Sequence, residues 1–200
     1  FEASDGVATA RLPATGELSF EVKNIPVILV PGIMGTEMKK GDDLIWPNLN
    51  EMLNDIGDDF MNVLRMNPDG TFMDNQIILG DIVRNPPTKD IFAGLITEFA
   101  ANGYQENTDL FVFPYDWRLD IRLTSESLRN KIDAVKDQTG ANKADIIAHS
   151  MGGLLAKQYI LGNGPSSINK LIFVGTPHLG APKSAKTLLL GDDLGVAKII

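Results

Sequence analysis

The chain predicts an α/β fold, a mostly parallel sheet flanked by helices, and three observations carry that expectation. Unbroken apolar runs recur at Val27-Ile28-Leu29-Val30, Leu110-Phe111-Val112-Phe113 and Leu171-Ile172-Phe173-Val174, the pattern of strands covered on both faces. Helix-spaced apolar residues lie between them, so strands and helices alternate along the chain. Finally, a serine stands where an apolar strand passes into a helix, within Ala148-His149-Ser150-Met151-Gly152-Gly153.

Residues 1–23 read as the end of a preceding module or a lead-in strand, because Leu18, Phe20 and Val22 alternate beyond the breakers Pro13 and Gly16. The first residue is Phe1 rather than methionine, so the stretch reads as an excerpt with a module or targeting signal expected upstream. Residues 24–200 then form the amino-terminal portion of an α/β domain. Val27 to Val30 opens it and leads into the glycine-bracketed loop Pro31-Gly32-Ile33-Met34-Gly35-Thr36.

Residues 39–87 are irregular. They hold Trp46-Pro47, an amphipathic pattern of Leu53, Ile56, Phe60, Val63 and Leu64 broken by Gly57, and the run Ile77-Ile78-Leu79 ahead of Pro86-Pro87. Two readings stay open: a lid or substrate-facing cap, or a helix pair packing its apolar face on the core. Ile91, Phe92, Leu95, Ile96 and Phe99 then share a helical face behind the cap Asp90, with Asn102-Gly103 as the stop. Leu128, Ile132 and Val135 repeat the pattern behind Thr124 or Ser125 and ahead of Gly140. A strand through Asp145-Ile146-Ile147, a helix over residues 153–161 and the strand at residues 171–174 complete the order. Ligands of such sheets sit beyond the strands' carboxyl ends.

A chain of 200 residues with 44% hydrophobic content can bury one sizeable core. Its net charge of -8 is spread over isolated Asp and Glu without a basic patch, which argues against nucleic acid as a partner. With no cysteine and two histidines lacking ligand spacing, no metal is expected. The apolar runs are far shorter than a membrane span, and no signal-peptide pattern opens the chain.

The chemistry centres on Ser150. A serine at a sharp strand-to-helix turn has its hydroxyl pushed out of the sheet's carboxyl edge, while the next amides and the helix N-terminus face any negative charge developing beside it. Ala148 stands where glycine is commoner in this turn, and Gly152 keeps the second small position. Ser150 is therefore the candidate nucleophile, and the Met151 amide one candidate oxyanion donor. The loop at residues 31–36 leaves an early strand where such folds place the other donor. Met34 is the first choice for it and Ile33 the second; Ile33, Trp46 and His178 are also candidates for the substrate pocket.

Taken together, Pro26-Val27-Ile28-Leu29-Val30-Pro31-Gly32-Ile33-Met34-Gly35, Phe113-Pro114-Tyr115-Asp116-Trp117-Arg118, the Ser150 segment and Gly175-Thr176-Pro177-His178-Leu179-Gly180-Ala181-Pro182 resemble the lecithin:cholesterol acyltransferase family, including its phospholipid:diacylglycerol acyltransferase relatives. The resemblance runs from about Pro26 to the end. It implies an α/β-hydrolase fold, acyl transfer from a lipid ester through an acyl-serine, and no metal or organic cofactor. It favours Met34 over Ile33, makes Asp116 and Arg118 a structural ion pair beside Trp117, and makes the Gly-Thr-Pro-His segment a pocket wall. Since cysteine is absent, the disulfide-tied lid of the animal enzymes is not carried over.

A serine nucleophile needs a histidine held by a carboxylate, and in α/β hydrolases these follow in the order serine, acid, histidine. Strand alternation aims His149 away from the neighbouring hydroxyl. His178 has no acid between it and Ser150, and Asp192 and Asp193 follow it in the wrong order. Asp145 is five extended residues from Ser150, roughly 16 Å. Acid and base are therefore expected after Ile200, with the remaining strands, and the stretch alone is expected to be inactive. The resulting expectation is a serine O-acyltransferase or lipase acting on phospholipid or acylglycerol esters, with transient contact to a lipid surface and a secreted or cell-surface setting. The alternatives are a carboxylesterase for small soluble esters and a non-catalytic module with the same fold.

Overall fold

A computed structural model describes residues 2–4, 9–11, 24–54, 59–84 and 92–190. The lead-in alternation at Leu18, Phe20 and Val22, together with Ile56, Gly57, Pro86-Pro87, Asp90, Ile91, Asp192 and Asp193, lies outside the described residues. A short antiparallel pair, β1 (Glu2–Ser4) and β2 (Thr9–Arg11), comes first. The chain continues through β3 (Val27–Val30), β4 (Thr36–Lys40), β5 (Asp43–Trp46), α1 (Leu49–Asn54) and a 3-10 segment (Asp59–Leu64) to β6 (Ile77–Ile82) and α2 (Ala93–Ala101). It ends in β7 (Leu110–Val112), α3 (Ile121–Thr139), β8 (Ala144–His149), α4 (Met151–Asn163), β9 (Ile168–Val174) and α5 (Pro182–Leu190).

The central sheet has the order β7-β3-β8-β9, and each neighbouring pair is parallel. Its two faces are divided by the alternation of β3. Ile28 and Val30 join Phe111, Ile146, Ala148 and the α3 and α4 residues Leu128, Ile132 and Leu155, whereas Val27 and Leu29 join Leu110 and the α2 side with Phe92. All four β3 side chains are buried, each apolar one contributing about 1.5–3 kcal/mol by removal from water. A parallel sheet must bury both faces, and these helices cover them. Because all four strands point the same way, the loops after β3, β7, β8 and β9 gather at one edge. Among the described residues, no helix is long and apolar enough to cross a membrane.

Two expectations are corrected. The helix-pair reading of residues 39–87 missed a three-stranded antiparallel sheet, order β5-β4-β6; α1 and the 3-10 segment lie between β5 and β6, and Met52, Met61, Val63 and the buried Leu64 pack against Met38 and Trp46. The sheet's signal was the period-two burial of Thr36 and Met38 before a turn at Gly41, obscured by the charged tail Lys39-Lys40. The cap of α3 is Asp120, whose side chain accepts from the Arg122 amide; Thr124 and Ser125 lie inside the helix, their hydroxyls donating back to the Asp120 and Arg122 carbonyls. Among the described residues, β9 pairs with β8, and Ile172, Phe173 and Val174 are 47%, 41% and 46% exposed.

Candidate active site

Ser150 joins β8 to α4 with φ 51° and ψ -122°, a left-handed backbone that an L residue occupies only at a cost of order 1–3 kcal/mol. The surroundings hold it there. Its N–H donates to the Val174 carbonyl (2.9 Å), which ties the elbow to the end of β9, and its own carbonyl accepts from Gly153 N–H (3.0 Å). Its side chain makes no capping bond to the helix. The first turn of α4 therefore follows directly behind the hydroxyl, with its positive dipole end facing the same edge.

The loop after β3 lies against this elbow. A Cβ on Gly152 would fall 2.2 Å from the Pro31 carbonyl oxygen, and one on Gly32 would fall 2.9 Å from Ser150 Cβ. Only glycine fits at either position. Gly35 N–H closes a turn onto the Gly32 carbonyl (3.1 Å), with Met34 at φ 61°. Among the described residues, the Met34 amide donates to no backbone carbonyl in the turns and loops. The Ile33 side chain projects from this turn and is 56% exposed.

Residues 113–118 hold the loop from its other side. The buried Tyr115 hydroxyl donates to the Pro31 carbonyl (3.1 Å), and burial raises its pKa, so it remains a donor. Thr36, fully buried, accepts from the Tyr115 amide at Oγ1 (3.1 Å) and from the Trp117 indole at its carbonyl (3.3 Å). Trp46, a candidate for the pocket wall, is buried, with its indole N–H on the Met34 carbonyl at 2.7 Å and its ring edge-on to Trp117. Asp116 and Arg118 form the expected ion pair (2.7 Å), and Arg118 also donates to the Leu64 carbonyl (3.2 Å). Tyr115 and Thr36 were not singled out from sequence; their signal was a hydrogen-bonding aromatic block just past a strand end.

Neither histidine is hydrogen-bonded to Ser150. His149 packs edge-on to Phe92, and burial lowers its pKa, keeping the ring neutral at pH 7. His178 packs edge-on to Phe173 and lines a groove of about 420 Å³ with Lys157, Ile160, Leu161 and Leu171, along the flank of α4 and β9; Ser150 is not part of its lining. Asp145 accepts from Asn169, at the opposite end of β8 from the elbow. Among the described residues, no group of three His, Asp or Glu is arranged to hold a metal.

A parallel sheet with helices on both faces and a left-handed serine at a strand-to-helix elbow defines an α/β hydrolase. The family model for lecithin:cholesterol acyltransferase matches residues 72–200, and the chain belongs to that family. It is 35% identical over 96 residues to "Phospholipase A(1) LCAT3" of Arabidopsis thaliana, covering 46% of this chain and 22% of that protein. It is 26% identical over 212 residues to "Lysosomal phospholipase A and acyltransferase" of Bos taurus, covering 84% of this chain and 51% of that one. Among solved structures, it is similar to a Bacillus licheniformis lipase, BlEst2, with a TM-score of 0.46 and 16% identity over 84% of this chain and 47% of the lipase. The chain thus spans about a fifth to a half of the length of these curated relatives.

Proposed function

We propose that the protein carrying this chain transfers acyl groups from lipid esters through an acyl-serine, acting as an O-acyltransferase or lipase. The observation that carries this reading is the strained Ser150 elbow seated against the 31–35 turn, in a chain of the lecithin:cholesterol acyltransferase family. Ser150 Oγ attacks the ester carbonyl as its proton passes to a base. The carbonyl oxygen becomes an oxyanion held by the Met34 and Met151 amides, each such donor contributing about 3 kcal/mol in the transition state. Collapse expels the alcohol portion, which takes up the proton, and leaves Ser150 acylated. Water or a second alcohol then attacks the acyl-serine, loses its proton to the base, and returns Ser150 as a hydroxyl.

The base and its acid are a histidine and a carboxylate contributed from sequence after residue 200. Two things support this placement: no hydrogen bond joins either histidine to Ser150, each ring instead packing on a phenylalanine, and this chain covers only 22% and 51% of two curated relatives. The names of the relatives, phospholipase and acyltransferase, favour a phospholipid or acylglycerol as acyl donor. The exposed Ile33 beside the elbow suits brief contact with a lipid surface.

The test is kcat/KM of the intact protein across an acetyl-to-palmitoyl ester series. A lipid-acting site gains with each methylene it buries, up to about 0.8 kcal/mol apiece, so an overall rise of tenfold or more is expected. A steady fall with chain length would assign small soluble esters instead. Absence of turnover throughout would assign a non-catalytic role.

A further inference from the structure

We infer that Thr176 is a positioning residue for the Met151 amide: packed on Gly153, it braces the N–H that binds the Ser150 carbonyl, the other end of the peptide that carries the amide. This rests on the roles proposed above for Ser150 and Met151. The Ser150 carbonyl and the Met151 N–H belong to one planar peptide, so turning one turns the other. Gly153 N–H donates to that carbonyl at 3.0 Å, and Ser150 N–H donates to the Val174 carbonyl at 2.9 Å. Both peptides flanking Ser150 are thereby tied, and together they hold its backbone at φ 51° and ψ -122° against relaxation.

Thr176 joins the two ties. It stands two residues past Val174, beyond Gly175 at φ 60°, and its side chain fills the space that a side chain at residue 153 would need. A Cβ on Gly153 would overlap Thr176 Oγ1 and fall 2.7 Å from its Cγ2 and 2.8 Å from its Cβ. Rotation about χ1 moves Oγ1 and Cγ2 but leaves Cβ where the backbone puts it, so no rotamer relieves the contact. The exit of β9, the serine and the first turn of α4 thus form a closed ring of contacts, in which shifting Gly153 or Thr176 shifts the Met151 amide. The Thr176 hydroxyl is buried and has no hydrogen-bond partner among the described residues. The brace therefore uses the β-branched shape of threonine, and its unpaired oxygen detracts from stability.

The test uses steady-state kinetics of the intact protein on an ester substrate, with thermal melts alongside. Gly153→Ala must part the helix turn from the loop after β9, and a displacement of about 1 Å at the site lowers kcat by about 100-fold, with KM little changed. Thr176→Gly vacates the space and is expected to lower kcat by about tenfold. Combined with Gly153→Ala it should raise kcat about tenfold or more over Gly153→Ala alone, because the new methyl enters the vacated space. Thr176→Val keeps the shape without the hydroxyl, so its kcat should exceed that of Thr176→Gly about fivefold or more and its thermal midpoint should rise above wild type. Wild-type kcat in Gly153→Ala, a loss confined to KM, a double variant no better than Gly153→Ala, or Thr176→Val no better than Thr176→Gly would overturn the assignment. Should Gly153→Ala fail to fold, wild-type kcat in Thr176→Gly would do so. Turnover that survives Ser150→Ala overturns the serine reading itself, and this role with it.

Discussion

Alanine at position 150 is expected to lower kcat of the intact protein by about 10⁵-fold or more, the scale seen when a serine nucleophile is removed from a hydrolase. The fold should be unaffected. The Ser150 side chain caps nothing, and alanine inherits the same left-handed backbone rather than relieving it. Ser150→Gly separates chemistry from strain. It should be equally inactive yet more stable by about 1 kcal/mol, because glycine sheds a penalty of order 1–3 kcal/mol while losing somewhat more chain entropy on folding. Kinetics and chemical denaturation on the three proteins check both halves. A glycine variant less stable than the alanine variant would mean that the elbow stores no strain.

Removing one partner of the Asp116–Arg118 pair should have the largest effect on stability. The side chains are 10% and 5% exposed, and the guanidinium donates twice to the carboxylate and once to Leu64 while lying 5.2 Å from the Phe72 ring centroid. Asp116→Ala strands a buried cation, which costs about 3–5 kcal/mol. Asp116→Ala with Arg118→Met should recover most of that, since the penalty belongs to the unpaired charge and not to a missing contact. Urea denaturation decides it, and a single variant within about 1 kcal/mol of wild type would contradict the buried-pair account. The pair thus fastens the 3-10 segment to the loop after β7, beside the residues that hold the 31–36 loop.

Different physics made different parts of this molecule legible in the sequence. The parallel core was readable because β3 must be apolar on every residue to face helices on both sides. The elbow was readable because its requirements fall on covalent neighbours of Ser150, and Gly152 has no alternative beside the Pro31 carbonyl. The insertion was not. Lys39, Lys40 and Asp43 weaken the strand pattern, and these strands are set by partners distant in sequence, with Met38 paired to Trp46 on one side and Leu79 on the other. Thr124 and Ser125 read as caps because hydroxyls there can serve either end of a helical bond, and here they bond back to preceding carbonyls. Nothing local announces a left-handed methionine, and the indole that bonds the Met34 carbonyl stands twelve residues away. Among the described residues, no hydrogen bond joins either histidine to Ser150, their rings packing on Phe92 and Phe173, so no base is legible beside the hydroxyl.

The most direct measurement is covalent labelling of the intact protein with a fluorophosphonate, followed by peptide mapping. The account predicts a single adduct on Ser150 that disappears in Ser150→Ala. A protein that takes no label, or takes it equally after that substitution, contradicts the assignment of this serine as nucleophile.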